Sequence, residues 1–127
     1  MTKEELEKRT LEFSINLISV LQKLPKNLIN NKLIGQVASS GTSIGANYRE
    51  ANSAESPKDF QHKLNISFKE ARETSYWLAI SAAANSDYEN DLLTLKQEAD
   101  EFSRIFGKAV TTCKKKANLI KSIHMIN

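Results

Sequence analysis

Apolar residues recur at every third or fourth position along most of the chain, which is the spacing that one face of an α-helix requires. Short polar stretches divide this pattern into four segments, of which the last holds the spacing from Tyr88 to Cys113 and more loosely to Ile120. No segment alternates strictly between apolar and polar residues, as a half-buried strand would. The pattern predicts an all-α protein whose helices pack as a bundle.

Local signals mark the boundaries of the first two helices. Thr2 and Glu5 form a T-x-x-E capping box at the start of the first helix, and Pro25 ends that helix. Asn30 or Asn31 is the predicted N-cap of the second helix, because asparagine side chains accept hydrogen bonds from free helix N–H groups. The second helix is predicted to run to about residue 52.

The third helix has the clearest start in the chain. Ser56 is its predicted N-cap, Pro57 occupies the first helical position and Asp59 completes a capping box. The Ser-Asp-Tyr-Glu sequence of residues 86–89 repeats this signal and is predicted to cap the fourth helix. The 127 residues are predicted to form one domain over residues 1–121, followed by a tail over residues 122–127 that frays because it lacks a cap.

Two helices carry more apolar surface than one bundle contact needs. Leu11, Ile15 and Ile18 lie beside the main seam of the first helix, and Trp77 lies outside the main face of the third. We interpret Trp77 as a core or interface residue rather than a platform for a ligand. A lone bundle would leave such residues exposed, so the sequence predicts self-association. The main seams are Leu6, Thr10, Phe13, Leu17, Val20 and Leu24 in the first helix, Phe60, Leu64, Ser67, Ala71, Leu78 and Ala82 in the third, and Tyr88, Leu92, Leu95, Ala99, Phe102, Phe106, Ala109 and Cys113 in the fourth.

Residues 37–51 have helical spacing but small side chains, with Gly41 and Gly45 on one stripe. A glycine inside a helix costs about 1 kcal/mol relative to alanine, so a helix here needs a packing gain that offsets this loss. We interpret both glycines as packing positions where another backbone comes close; a Ser/Gly loop is the alternative. A line of polar residues beside these glycines is also predicted to take part in helix packing: Ser43, Asn47 and Glu50. The Glu50 carboxylate is interpreted as solvated or paired with a cation of a neighbouring helix, because such carboxylates are seldom catalytic.

Positive charge is concentrated at the C-terminal end, although the net charge is only +3. Residues 102–127 contain six cations and no acid, whereas the preceding residues contain 12 bases and 15 acids. The six cations are the predicted contacts for nucleic acid, without a motif that reads bases: Arg104, Lys108, Lys114, Lys115, Lys116 and Lys121. Residues 114–116 point in different directions on a helix, so the alternative is that some only complement the negative end of the helix dipole.

The sequence contains no arrangement of residues that is typical of an enzyme. His62 and His124 lack partners at metal-ligand spacing, and the Asp59-Phe-Gln-His62 sequence matches only half of a bundle metal motif. Cys113 occupies a seam position and is interpreted as a buried small hydrophobe. Phosphate-loop, dinucleotide and nucleophile-elbow motifs are absent. We therefore predict no catalytic residue, no metal and no cofactor.

The sequence also indicates where the protein is located. It lacks the run of about 18 apolar residues that a membrane-spanning helix needs. Its first residues are acidic and helical, unlike the basic start of a signal peptide. A single cysteine cannot form an internal disulfide. These features predict a cytoplasmic protein without membrane contact.

Three stretches of the chain resemble a known family. They are Gln-Val-Ala-Ser-Ser-Gly-Thr-Ser-Ile-Gly-Ala-Asn-Tyr-Arg-Glu-Ala at residues 36–51, Glu-Ser-Pro-Lys-Asp-Phe at residues 55–60 and Lys-Glu-Ala-Arg-Glu-Thr-Ser-Tyr-Trp-Leu at residues 69–78. Together they resemble the bacterial four helix bundle protein family, also known as 23S rRNA intervening-sequence proteins because some members are encoded within insertions in 23S ribosomal RNA genes. The name records a gene location rather than a ribosomal function.

The resemblance implies an up-down antiparallel four-helix bundle that assembles as a homopentamer without enzymatic activity. A related group serves as the accessory protein of diversity-generating retroelements, where it binds nucleic acid and a reverse transcriptase. The family pattern often has an arginine where this chain has Ser39, which weakens the case for phosphate contact by the second helix. We predict a non-catalytic oligomeric scaffold that binds nucleic acid or a nucleic-acid enzyme through a basic surface. The alternative is a structural or protein-interaction oligomer with no nucleic-acid role.

Overall fold

The protein consists of four α-helices in a computed structural model that describes residues 1–126. The helices are α1 (Lys3–Leu21), α2 (Leu28–Asn52), α3 (Pro57–Ala84) and α4 (Glu89–Ile126), with a 3-10 turn at Ser86–Tyr88. No strand occurs among these residues, and the all-α class is confirmed. Asn127, the last residue of the predicted frayed tail, lies outside the described residues.

Consecutive helices run antiparallel. Thr10, early in α1, lies against Gly45, late in α2, and Leu17 lies against Gly41. α2 packs on α3, α3 packs on α4, and α4 closes the bundle by contacting α1. The first turns of α1 and α3 therefore lie at the same end of the bundle, where α2 ends.

Two predicted helix starts are confirmed by their caps. Thr2 and Glu5 make the reciprocal bonds of a capping box, each at 3.1 Å. Ser56 accepts a hydrogen bond from the N–H of Asp59 at 3.0 Å, with Pro57 at the first helical position. The Asp59 side chain does not return a bond to Ser56, so this start has an N-cap and not the predicted capping box. Because the side chains of the cap residues satisfy helix N–H groups locally, these starts do not depend on the tertiary fold.

The predicted start of α2 is wrong. The helix begins at Leu28, and Asn27 is its N-cap, accepting a hydrogen bond from the N–H of Asn30 at 2.8 Å. Asn30 itself is buried and exchanges two side-chain hydrogen bonds with Asn85, at 2.8 and 3.0 Å. A buried amide requires such partners, so Asn30 serves the contact between α2 and the end of α3 instead of a cap.

The predicted cap of α4 is also wrong. Ser86 starts a 3-10 turn and makes no side-chain capping bond, and α4 begins only at Glu89. The turn is closed by the N–H of Tyr88, which donates to the carbonyl of Asn85 at 2.9 Å. The Asn85 side chain bonds to the carbonyl of Ser81 and to the side chain of Asn30. These bonds fix the change of chain direction between α3 and α4, at the place where the sequence predicted a helix cap.

The core is built from all four helices, and the buried positions depart slightly from the predicted seams. Leu21 and Val110 are buried, whereas Val20 and Ala109 are only partly buried. A helix of 3.6 residues per turn drifts away from a strict 3.5-residue seam, so the buried stripe shifts by one position along a long helix. The aromatic centre contains Phe13, Tyr48, Phe102 and Phe106.

Two of the three glycines of α2 lie against side chains of α1. A Cβ at Gly45 would lie 2.8 Å from Oγ1 and 2.9 Å from Cβ of Thr10, which is fully buried. A Cβ at Gly41 would overlap the Leu17 side chain. Gly35, on the same helix, has nothing near its missing Cβ. Of these three glycines, only Gly41 and Gly45 therefore leave space that side chains of α1 fill.

α4 is twice as long as α1, with 38 residues against 19. Between residues 89 and 125, the last buried residue is Val110, and residues 111–125 are exposed except for the half-buried Cys113 and Ala117. We call residues 111–125 the α4 tail. At about 1.5 Å per residue, this tail extends about 20 Å. The predicted domain boundary at residue 121 falls inside this continuous helix.

We expect opposite effects from alanine at two glycines of α2. Gly45→Ala should lower the free energy of unfolding by about 1 to 3 kcal/mol, because the new methyl group overlaps the rigid, β-branched Thr10. Gly35→Ala, the matched control, should raise it by up to about 1 kcal/mol through helix propensity. Urea unfolding followed by circular dichroism measures both. Equal stabilities for the two variants would contradict the close-contact interpretation.

Candidate nucleic-acid interface

The six predicted cations lie on α4 and are all exposed, but they do not form one surface. Arg104, Lys108 and Lys115 are spaced by four and seven residues, so they follow the outer face of the helix. We call them the outer cations. Lys108 stands at the edge of this face and also lines a smaller cavity, of about 440 Å³, with Phe106. Lys114, Lys116 and Lys121 instead line a groove beside the α4 tail. The structure thus divides the predicted set into two groups.

The groove lies between the α4 tail and the end of the bundle, and its volume is about 1210 Å³. The bundle wall is formed by the start of α1 and by the connection between α2 and α3. Lys3 and Lys58 add two cations from this wall, and Glu55 is the one acid among the lining residues. We call Lys3, Lys58, Lys114, Lys116 and Lys121 the groove cations. The apolar lining is Ala51, Ala54, Pro57, Phe60, Cys113, Ala117 and Ile120.

Sequence reasoning missed Lys3 and Lys58, which belong to otherwise acidic or neutral segments. Both lie in a first helical turn, Lys3 directly after the Thr2 cap and Lys58 two residues after the Ser56 cap. In an up-down bundle, the first turns of α1 and α3 lie at the same end as the last part of α4. The capping sequences at Thr2 and Ser56 mark these first turns. Together with the up-down order of the helices, they could have predicted that Lys3 and Lys58 lie near the end of α4.

Cations outnumber acids among the residues that line the groove. Within residues 1–125, the ion pairs involve only Lys8, Arg9 and Lys96 as cations, so no groove cation has a carboxylate within 4.0 Å. The first turns of α1 and α3 also carry acids, Glu4 and Glu5 on α1 and Asp59 on α3, which offset the partial positive charge of these helix N-termini. An anion entering the groove therefore meets five lysines without ion-pair partners in the described residues, against the lining acid Glu55.

The polar line of α2 makes its hydrogen bonds within its own helix. Ser43 donates to the carbonyl of Ser39 at 2.7 Å, and Asn47 donates to the carbonyl of Ser43 at 2.9 Å. Both side chains are half-buried, whereas Glu50 is exposed. None of these three residues makes a side-chain hydrogen bond to another helix within the described part of the chain.

The polar contacts between α2 and α3 come from residues that sequence reasoning did not select for this role. Thr74 donates to the Ser40 hydroxyl at 2.9 Å, and Ser67 donates to the carbonyl of Ile44 at 2.9 Å. All three polar side chains are buried. Ser67 lies on the predicted apolar face of α3. A hydroxyl at an otherwise apolar position was the sequence feature that could have predicted a buried hydrogen bond there.

Trp77 packs partly against the core. Its indole N–H donates to Glu73 at 3.2 Å, and its ring meets the exposed Tyr76 ring edge-on at 5.3 Å. Burial raises the pKa of the nearby Glu70, and the charge of Glu73 adds to this effect. These contacts support a packing role for Trp77.

The remaining candidates for chemistry stay apart. Cys113 is half-buried with a free thiol, and His62 and His124 are exposed. Among residues 1–126, no three or more His, Cys, Asp or Glu residues are grouped as metal binding would require. None of the described helices is both long and apolar enough to cross a membrane.

Two further cations serve contacts inside the bundle. Arg9 of α1 binds Glu98 of α4 through two hydrogen bonds, at 2.6 and 2.9 Å, and lies over the Phe102 ring. The Glu98 carboxylate raises the pKa of Arg9, although partial burial opposes this effect. Lys96 pairs with Asp100 at 2.9 Å on α4. Neither cation is available to an external anion.

Asp100 links α4 to α3 and also faces one of the outer cations. Partial burial by itself would raise the pKa of Asp100, but hydrogen bonds from Ser75 and Lys96 outweigh it, and the charges of Lys96 and Arg104 act in the same direction. The pKa of Asp100 is therefore lowered from its ordinary value of 3.8.

Comparisons with known proteins agree on one family. The sequence profile described as 23S rRNA-intervening sequence protein matches residues 3–108. A similar solved structure is a protein of unknown function from the S23 ribosomal protein family of Bacteroides thetaiotaomicron, with 30% sequence identity and a TM-score of 0.74. This similarity covers 87% of the present chain and 99% of the other. No curated protein matches the chain. The profile match ends before the α4 tail.

We predict that Asp100 contributes to the pH dependence of stability. A carboxylate whose pKa is lower in the folded state stabilises the protein at neutral pH, and this contribution is lost as the pH falls below about 4 and through the folded pKa. Asp100→Asn should therefore flatten the acid limb of a plot of unfolding free energy against pH. Asp91→Asn, an exposed carboxylate of the same helix, is the control. Identical acid limbs for the two variants would refute the assignment.

Proposed function

The chain belongs to the 23S rRNA-intervening sequence protein family, and we propose that it is a non-catalytic, cytoplasmic, self-associating helical scaffold. We propose that it binds nucleic acid, or an enzyme acting on nucleic acid, through residues 102–126, which we call the basic half of α4. The observation that carries this proposal is the charge of that half. Its six cations are exposed, and no acid occurs in residues 102–127. Neither the family description nor that of the structural relative names an activity.

Nucleic acid suits such a surface because its backbone presents regularly spaced phosphates. Each phosphate that a Lys or Arg neutralises releases condensed counterions, so affinity falls steeply as salt rises. No motif that reads base edges accompanies these cations, so we expect little sequence preference. An enzyme that binds this surface would itself present acidic side chains or bound nucleic acid.

Exposed apolar residues support self-association. Leu11 and Ile15 on α1 are 47% and 60% exposed, and Leu119 on the α4 tail is 62% exposed. Such residues on separate helices favour burial against other copies of the chain. The family resemblance suggests five copies, whereas the exposed residues support only association as such. In a closed ring every subunit repeats the basic cluster, so weak phosphate contacts add together.

A purely structural or protein-interaction oligomer is the second candidate. The same apolar residues favour it, because they require a protein partner and not a nucleic acid. In this case the lysines at positions 114–116 keep the protein soluble. They do not complement the negative end of the α4 dipole, because α4 continues for ten more residues to Ile126.

We predict a mass well above that of one chain in solution. Light scattering at micromolar concentration should give a multiple of the chain mass of 14.3 kDa, about five times this value if the family resemblance holds. Ile15→Asp, which places a charge on an exposed apolar face, should lower the mass without reducing helical content. A mass near 14.3 kDa for the parent would refute self-association.

We predict salt-sensitive binding that depends on Lys114, Lys115 and Lys116. Replacing all three with glutamine should weaken binding to DNA and RNA and lower the log–log salt slope by about 2 to 3, since each lost phosphate contact accounts for about 0.7 to 0.9. Helical content and oligomer mass should not change.

The control for this experiment removes the same charge elsewhere. Lys23, Lys32 and Lys69 are exposed residues outside the basic half of α4, and their replacement with glutamine should leave the slope nearly unchanged. Equal effects of the two triple variants would mean that the basic half of α4 is not the contact surface. A parent that binds neither DNA nor RNA at low salt would favour the second candidate.

A further inference from the structure

We propose that the groove beside the α4 tail binds single-stranded nucleic acid, with phosphates held by cations on both walls and bases lying on its apolar lining. This inference rests on the proposed function and assigns its binding site to the groove. It also predicts that the groove cations, and not the outer cations, carry the binding. Two of the five groove cations, Lys3 and Lys58, come from helices other than α4.

The arrangement of charge is the first argument. Lys114, Lys116 and Lys121 stand on the tail wall, while Lys3 and Lys58 stand on the bundle wall. A strand lying between the walls would meet cations on both sides. The outer cations Arg104, Lys108 and Lys115 all belong to α4, and the smaller cavity that Lys108 lines contains no second cation among the described residues.

The apolar lining decides the kind of nucleic acid. Seven apolar residues line the groove beside the lysines, and Phe60 supplies one aromatic ring. The uncharged polar residues of the lining are Asn52, Ser56, Gln61 and Asn118. A duplex keeps its base faces stacked inside and offers only its backbone, so this lining would gain nothing from it. A single strand exposes its base faces and uses charge and apolar contact together. With one aromatic ring, the contact selects for single strands but not for a particular base.

The size of the groove argues against small anions. A volume of about 1210 Å³ is larger than one phosphate needs, and the five cations are distributed over three helices. Their distribution fits a chain of anions. An acidic peptide is also a chain of anions, but it lacks flat base faces, so it becomes an outcome of the test.

The tail gives a second, independent readout. Leu119, Ile120 and Ile123 are 46% to 62% exposed, and the described residues include no partner that buries them. Helical segments of this length without tertiary packing are marginal in water. A strand lying in the groove would contact the tail along its length. Binding should therefore increase the protection of the tail amides from hydrogen exchange.

The test compares two charge-matched variants of the full chain. Lys58→Gln/Lys121→Gln removes one cation from each wall of the groove. Arg104→Gln/Lys115→Gln removes two outer cations that do not line the groove or the cavity beside it. The probe is a fluorescein-labelled thymidine oligomer of about 20 nucleotides, followed by anisotropy over a salt series, with unlabelled duplex DNA and poly-glutamate as competitors. Circular dichroism and light scattering check that fold and mass are unchanged.

We expect the groove variant to bind about tenfold or more weakly at low salt and to lose about 1.4 from the salt slope, while the outer variant remains within about twofold of the parent. Unlabelled duplex should compete less well than unlabelled single strand. Ala117→Glu, which places an acid in the apolar lining, should weaken binding as the groove variant does. Hydrogen exchange in residues 114–125 should slow when the oligomer binds the parent and not when it is added to the groove variant.

Three outcomes would overturn the proposal while leaving the proposed function in place. The first is a loss of affinity in the outer variant that equals or exceeds the loss in the groove variant. The second is competition by duplex DNA that equals competition by single strand, and the third is competition by poly-glutamate that equals competition by the unlabelled oligomer. A parent that binds no nucleic acid at low salt would instead refute the nucleic-acid part of the proposed function, and the groove assignment with it.

Discussion

The close contact between α1 and α2 is the constraint on which the rest of the bundle depends. α1 packs mainly against α2 and meets α4 over a shorter contact. Because Gly41 and Gly45 have no side chains, Leu17 and Thr10 come close to the α2 backbone and are fully buried. Phe13 then reaches the Phe102 ring of α4 at 5.4 Å. A wider spacing between α1 and α2 would open the bundle along both contacts of α1, since closely packed interiors tolerate few voids.

Small buried polar groups fix how the helices are aligned along their length. The hydroxyl of Thr74 bonds to Ser40, and the hydroxyl of Ser67 bonds to a carbonyl of α2. At the other end of this helix pair, Asn30 and Asn85 satisfy each other's amides. A shift of α3 along α2 would leave these buried groups without partners, which apolar contacts alone would not penalise in the same way.

The basic groove follows from this alignment together with the length of α4. Since α1 and α3 begin at the end of the bundle beyond which α4 continues, the first turns of two helices face the tail of a third. Lys3 and Lys58 are thereby placed opposite Lys121, although more than 50 residues separate each of these lysines from the next. The acids Glu89 and Asp91 stand in the first turn of α4, so the long helix keeps most of its acids away from the groove.

The sequence by itself determined the features that depend on neighbouring residues. The capping signals at Thr2 and Ser56 and the 3.6-residue periodicity are local, and they predicted the four helices, the all-α class and most of the core. Asn30 and Ser86 were misassigned because a side chain that can cap a helix can equally bond across the bundle or start a turn, and only the packed neighbours decide between these roles. The groove was likewise decided only by the tertiary structure. Lys3 and Lys58 carry no local sign of their position, because which helix ends meet in space is set by the packing of apolar faces and by the length of α4.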